Sequence, residues 1–245
     1  MANNNKKGLN TNTNSYTIVY SAVLVIVVAF LLAFVFQALK PMQDANVALD
    51  KKKQILYSLN IRDLASDQAY DNKYKEVVLA DQIIAADGSV KAEGKQGGEN
   101  DGFRLNSADY KAGRLALYVC KVGGDTKYVV PVYGMGLWGP ISGYIAINSD
   151  KKTVFGAYFN HEGETAGLGA EIKDNVKWQE KFQKKNVFSA DGSAVALSVA
   201  KNVTDPTSQV DAVTGATLTS DGVTLMLHDC LSQYLNFFKA NNDNK

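Results

Sequence analysis

The sequence predicts an α+β domain carried behind one membrane-spanning helix. Three observations predict it. Residues 16–39, "YTIVYSAVLVIVVAFLLAFVFQAL", form a charge-free apolar run longer than the ~20 residues needed to cross a bilayer core. From residue 112 onward, short runs of strand character are separated by turn residues. Those runs do not alternate regularly with helical ones, which argues against a doubly wound parallel sheet.

Composition sets outer limits. The chain has 245 residues, enough for one or two domains. With 26 Lys+Arg against 25 Asp+Glu its formal net charge is +1, so nothing points to nucleic acid, whose binding needs an excess of phosphate-neutralising cations. Two cysteines, Cys120 and Cys230, are too few for a disulfide scaffold or a cysteine-based metal site, and their spacing leaves open whether they pair. His161 and His228 lack the spacing of a metal site, so no metal is expected.

Taken in order, residues 1–15 are polar and read as a disordered tail. Residues 16–39 follow as a transmembrane helix, with Tyr16 and Tyr20 at one interface. A cleaved signal would have an apolar core of roughly 7–15 residues and a small-residue cleavage site. Neither is present before "KPMQD", so an uncleaved anchor is expected. Lys6 and Lys7 precede the span, while Lys40 and Lys51–Lys53 follow it, so the positive-inside rule slightly disfavours export of the C-terminal part. Residues 40–84 carry helix-spaced apolar positions and read as a helical connector with a break near Asn60. Residues 85–102 are Gly-rich and polar, hence a flexible excursion at the start of a domain extending over residues 85–245.

Two hairpins follow. "RLALYVCKV" and "KYVVPVYG" flank "GGDT", and "SGYIAI" and "TVFGAYF" flank "NSDKK". "DNVKWQEKFQKK" reads as a short amphipathic helix, and residues 187–201 as strand, turn, strand. In the last segment Val223, Leu227, Cys230, Leu231, Tyr234 and Phe238 share one face of a helix expected to begin near Ser220 or Asp221.

Three motifs bear on chemistry. "GMGLWG", residues 134–139, fits G-x-G-x-x-G, but a dinucleotide site needs a helix after it, and Pro140 and "ISGYIAI" are strand pattern. The glycines instead suit a tight connection between strands, and Leu137 and Trp138 taken alone suit the core. "HEGETAGLGAE", residues 161–171, is either a solvated loop or a place where glycines let the backbone approach a ligand. "DAVTGATLTSDGV", residues 211–223, has more hydroxyls than a helix cap requires. Thr219, Ser220 or Asp221 can cap the helix. Equally, the helix N-terminus can hold a phosphate group near Thr217, noncovalently or as an ester.

The stretch "DAVTGAT" resembles the flavinylation motif D-x-x-[ST]-G-A-T, whose last threonine is esterified to the phosphate of FMN by a separate flavin transferase. "LDKKKQILYSLNI", "YGMGLWGPISGYIAI" and "HEGETAGLGAEI" resemble, in order and spacing, segments of the covalent-FMN C subunit of the sodium-translocating NADH:quinone reductase. The resemblance implies an extracytoplasmic FMN-binding domain of mixed sheets and helices, in the periplasm behind an inner-membrane anchor. It implies covalent FMN at Thr217, within a motif formed by Asp211, Thr214, Gly215 and Ala216. It puts Glu164, Thr165, Leu168, Gly169, Leu218 and Thr219 near the flavin, with Leu137 and Trp138 as possible walls. It further implies an electron-relay protein that does not itself bind NADH, with the other membrane subunits and the transferase as partners. Ala166 stands where proline is common in the family. Two alternatives are the G subunit of the related ferredoxin:NAD complex, which shares the flavinylation motif, and a non-redox membrane-anchored scaffold.

Overall fold

The computed structural model describes residues 11–240. The expected disordered tail therefore lies largely outside the described residues. The chain divides into two units, Met1–Ala48 and Leu49–Lys245. One helix, α1 (Asn14–Ser58), begins in the first and ends in the second, with Pro41 inside it. In the first unit its apolar side chains are exposed, Phe30 and Ile18 among them. Among the described residues it is the one helix long and apolar enough to cross a bilayer.

The second unit is built on a sheet. After α2 (Asp67–Val77) come β1 (Val78–Ala85) and β2 (Val90–Ala92), then α3 (Ser107–Lys111). Strands β3 (Arg114–Val122), β4 (Asp125–Met135), β5 (Pro140–Ile147) and β6 (Val154–His161) follow. The sheet order is β2-β1-β3-β4-β5-β6, with every neighbouring pair antiparallel. Short helices α4 (Glu171–Asp174) and α5 (Val176–Glu180) precede β7 (Ser198–Ala200) and β8 (Gln209–Asp211), a parallel pair. Helices α6 (Thr217–Ser232) and α7 (Leu235–Ala240) close the described chain. Helices segregated onto the faces of an antiparallel sheet make this an α+β fold.

Alternation along β6 shows why both faces of the sheet are covered. Tyr158 meets Tyr57, near the end of α1, at 5.3 Å between ring centroids. The next residue, Phe159, points the other way, to Trp178 and Phe182 at 5.6 and 5.0 Å. On that second face Leu115, Leu117, Val130, Val132 and Ile145 form one core with Val223, Met226, Leu227 and Leu231 of α6. The predicted α6 stripe is thus the core-facing one, although Cys230 is only half-buried. On the first face Ile55, Leu56 and Leu59 are fully buried, and Gly156 lies so close to α1 that a Cβ would sit 2.4 Å from the Ser58 carbonyl oxygen.

Several expectations are corrected. Residues 78–84 are strand rather than helical connector, because α2 runs into β1 with no breaker and Val78 is both the helix cap and the first strand residue. The Gly-rich stretch is organised rather than loose: the buried Asp81 carboxyl accepts from the N–H groups of Lys95, Asp101 and Phe103, and glycines 94, 98 and 102 pack against that residue. Residues 187–197 form one isolated bridge, Phe188 to Val195, rather than a full hairpin. The last helix breaks at Gln233–Tyr234. Both cysteines are free thiols.

Candidate functional site

The three motifs come together at one end of the sheet. β4 and β5 are joined by Gly136-Leu137-Trp138-Gly139, closed by the Gly136 N–H donating to the Gly139 carbonyl at 2.8 Å. This hairpin is why "GMGLWG" has no helix after it. Leu137 and Trp138 are 47% and 68% exposed, which corrects the core expectation: they lie beyond the strand ends, where no layer reaches them.

The second segment leaves β6 at His161. Leu168 N–H donates to the Thr165 carbonyl at 3.1 Å, with Gly167 at φ +72° in the third turn position, as a type II turn requires. Ala166 therefore holds the second position, where proline pre-sets the backbone. The turn presents Thr165 and Leu168 outward, while Gly169 is buried.

The third segment repeats that device. Ala216 N–H donates to the Val213 carbonyl at 3.1 Å, with Gly215 at φ +77° in the third position and Thr214 exposed in the second. The turn feeds directly into α6, which begins at Thr217, earlier than the sequence suggested, with Ala216 as an N-cap that provides no side-chain acceptor. None of the three expected caps serves. Thr219 and Ser220 are buried, and their hydroxyls are used elsewhere. Thr219 Oγ1 donates to Glu164 Oε2 at 2.5 Å, and Ser220 Oγ accepts from Val213 N–H at 3.1 Å.

Sequence reasoning missed several connections. Asp211 accepts from Lys181 Nζ at 2.9 and 2.7 Å, and its carbonyl accepts from Trp178 Nε1 at 2.8 Å, so this motif residue anchors the turn to α5. A Cβ on Gly215 would lie 2.8 Å from Leu168 Cδ2, which places the two turns in contact. Glu164 Oε1 accepts from Trp138 N–H at 2.8 Å, tying the hairpin to the loop. Only the density of glycines hinted at such close approach.

The surface above these contacts suits a phosphate-bearing flat aromatic group. Thr217 and Leu218 are exposed on the first turn of α6, whose free N–H groups and dipole favour a phosphate. Exposed Leu168 lies against Gly215 of the turn before that helix, and exposed Leu137 and Trp138 stand on the hairpin that Glu164 ties to its first turn. Two cavities, of about 630 and 270 Å³, lie elsewhere and contain none of the three motifs. Among the described residues no three metal-ligating side chains converge.

Residues 136–232 match the model of the FMN-binding domain family. The match spans all three segments, so an FMN-binding domain is the class that fold and site define. The C subunit of the Na(+)-translocating NADH-quinone reductase of Haemophilus ducreyi is 32% identical over 87% of this chain and 88% of its own length. The chain belongs to that family of reductase C subunits. The crystal structure of the corresponding protein from Parabacteroides distasonis superposes with a TM-score of 0.73 at 34% identity, covering 82% of this chain and 96% of that one. Shewanella oneidensis NqrC, 23% identical, shares the fold with a TM-score of 0.64, over 80% of this chain and 99% of its own. These matches do not favour the G subunit of the ferredoxin:NAD complex or a non-redox scaffold.

Proposed function

We propose that this chain carries FMN as a phosphoester on Thr217 Oγ1 and serves as an electron-transfer station of the Na(+)-translocating NADH-quinone reductase. The observation that carries the site is exposed Thr217 on the first turn of α6, to which Glu164 ties the hairpin bearing exposed Leu137 and Trp138, with exposed Leu168 against Gly215 of the turn before it. FMN, when bound, supplies one-electron redox chemistry between neighbouring centres of the complex. Everything else asked of this chain is holding and orienting.

A threonine hydroxyl is a poor nucleophile at neutral pH, so attachment calls for the flavin transferase. Thr217 is open to such a catalyst in the folded domain, and Thr214 and Gly215 beside it are exposed as well. The N–H groups at the start of α6 seat the retained phosphate charge. A covalent link would secure retention without a deep pocket, and the exposed apolar side chains would hold the ring. Thr165, Leu168 and Leu218 are placed to line it, with Leu137 and Trp138 as a wall.

The domain belongs on the periplasmic side of a bacterial inner membrane, where the transferase acts, with α1 as the anchor among the other membrane subunits. The lysines that argued against export have a structural use there. Lys52, with its side chain 7% exposed, pairs with Asp71 at 2.6 Å and Glu99 at 2.7 Å, and Lys53 pairs with Asp67 at 2.7 Å.

The test is direct. Protein co-expressed with its transferase should give an ultraviolet-fluorescent band on a denaturing gel, and Thr217→Ala should abolish it. A dark wild-type band would refute the attachment and favour the scaffold reading.

A further inference from the structure

Glu164 is 7% exposed and lies where the three segments meet. Both carboxyl oxygens are engaged by the protein: Oε1 by Trp138 N–H at 2.8 Å and Oε2 by the Thr219 hydroxyl at 2.5 Å. Its own N–H donates to His161 Nδ1 at 3.2 Å, which fixes the loop that carries it. Two glycines wall it in. A Cβ on Gly136 would come within 2.5 Å of Oε1, and one on Gly169 within 2.3 Å of Oε2 and 2.7 Å of Thr219 Oγ1. Enclosed in this way, the carboxyl has both oxygens taken up by the protein.

We infer that Glu164 is a positioning residue rather than a flavin ligand: it clamps the Leu137-Trp138 turn, the Thr165–Leu168 turn and the first turn of α6 at fixed separation. This rests on the proposed attachment at Thr217 and specifies how the chain orients the attached ring. Helical geometry makes the link to Thr217. Residues two apart on an α-helix point about 200° apart, so a Thr219 hydroxyl drawn inward holds Thr217 outward. Breaking the clamp should leave the ester intact and free the walls to move against it. A buried acceptor left without its donor is costly, so the contact is not lost silently.

The test compares wild type with Thr219→Val, Thr219→Ser and Glu164→Gln in the full chain. Valine keeps the shape and removes the donor, serine restores it, and glutamine keeps an acceptor for Trp138 N–H and a partner for Thr219. The first readout is the visible circular dichroism of the attached flavin. The second is hydrogen exchange of the Trp138 amide in protein made without the transferase. Thr219→Val should keep its fluorescent band, lose about half of the dichroism and exchange Trp138 about tenfold faster, with β3 and β4 amides unchanged. Thr219→Ser and Glu164→Gln should both stay near wild type. Unchanged dichroism and exchange in Thr219→Val would overturn the clamp. So would loss of dichroism in Glu164→Gln alone, which would assign the group an electrostatic role. A wild-type band without flavin refutes attachment at Thr217 instead, while the exchange comparison still decides the clamp.

Discussion

Thr217 and Thr219 share one helical turn and have opposite fates, one on the surface and one bonded to a buried acid. The T-G-A-T pattern marks Thr217 in the sequence. The resemblance of the "HEGETAGLGAE" segment puts Glu164 near the flavin, but nothing local shows that it bonds Thr219, 55 residues away. Thr214 is exposed at the second position of its turn, where many residue types fit. Thr214→Ala should therefore keep most of the flavin that Thr217→Ala loses, read from the same gel. Titration offers a second residue-scale prediction. Burial pushes Lys51 down to about 8 from 10.5, against the raising pull of Asp81. Between those values the unfolded chain binds more protons, so Lys51 makes stability rise with pH across that window. Burial raises Tyr118 and Tyr144, so above pH 10 the unfolded chain loses protons first and stability falls. Burial also raises the thiols of Cys120 and Cys230 from 9.0, so their contribution to the fall begins near pH 9. Denaturant titrations of Lys51→Met should therefore lack the rise from pH 8 to 9 and keep the fall above it.

At the scale of elements, the strands most visible in the sequence are those bounded by turn chemistry. Gly123 and Gly124, at φ +61° and +92°, make a two-residue loop with Val122 opposite Asp125, the connection that "GGDT" suggests. β1 was hidden because Tyr70, Tyr74 and Val77 continue a helical spacing up to its first residue. The start of α6 was misplaced because its hydroxyls looked like caps, whereas partners distant in sequence use them. Gly222 within α6 tests how close that helix lies to β4. Alanine normally stabilises a mid-helix glycine position by about 1 kcal/mol. Here a Cβ would stand 2.3 Å from the Met135 carbonyl oxygen, so Gly222→Ala should instead destabilise by about 1–3 kcal/mol in urea unfolding.

At the scale of the whole molecule, the α+β class was readable because antiparallel hairpins leave local signals while a parallel sheet needs regular crossovers. The covering of both faces was not readable, since it depends on which distant helix each face meets. The sequence suggested a connector between anchor and domain, yet from Leu49 onward α1 belongs to the domain itself. Ile55, Leu56 and Leu59 are as buried as any strand residue, and the Asn60 side-chain amide donates to the Phe155 carbonyl at 3.0 Å.

That last stretch of α1 decides where the protein can be cut for study in water. A shortened version beginning at Leu49 keeps the ridge of side chains that roofs Tyr158 and should melt cooperatively as a monomer. One beginning at Ile61 removes the roof, leaves the underside of the sheet wet, and should aggregate or show no sharp melting transition by calorimetry.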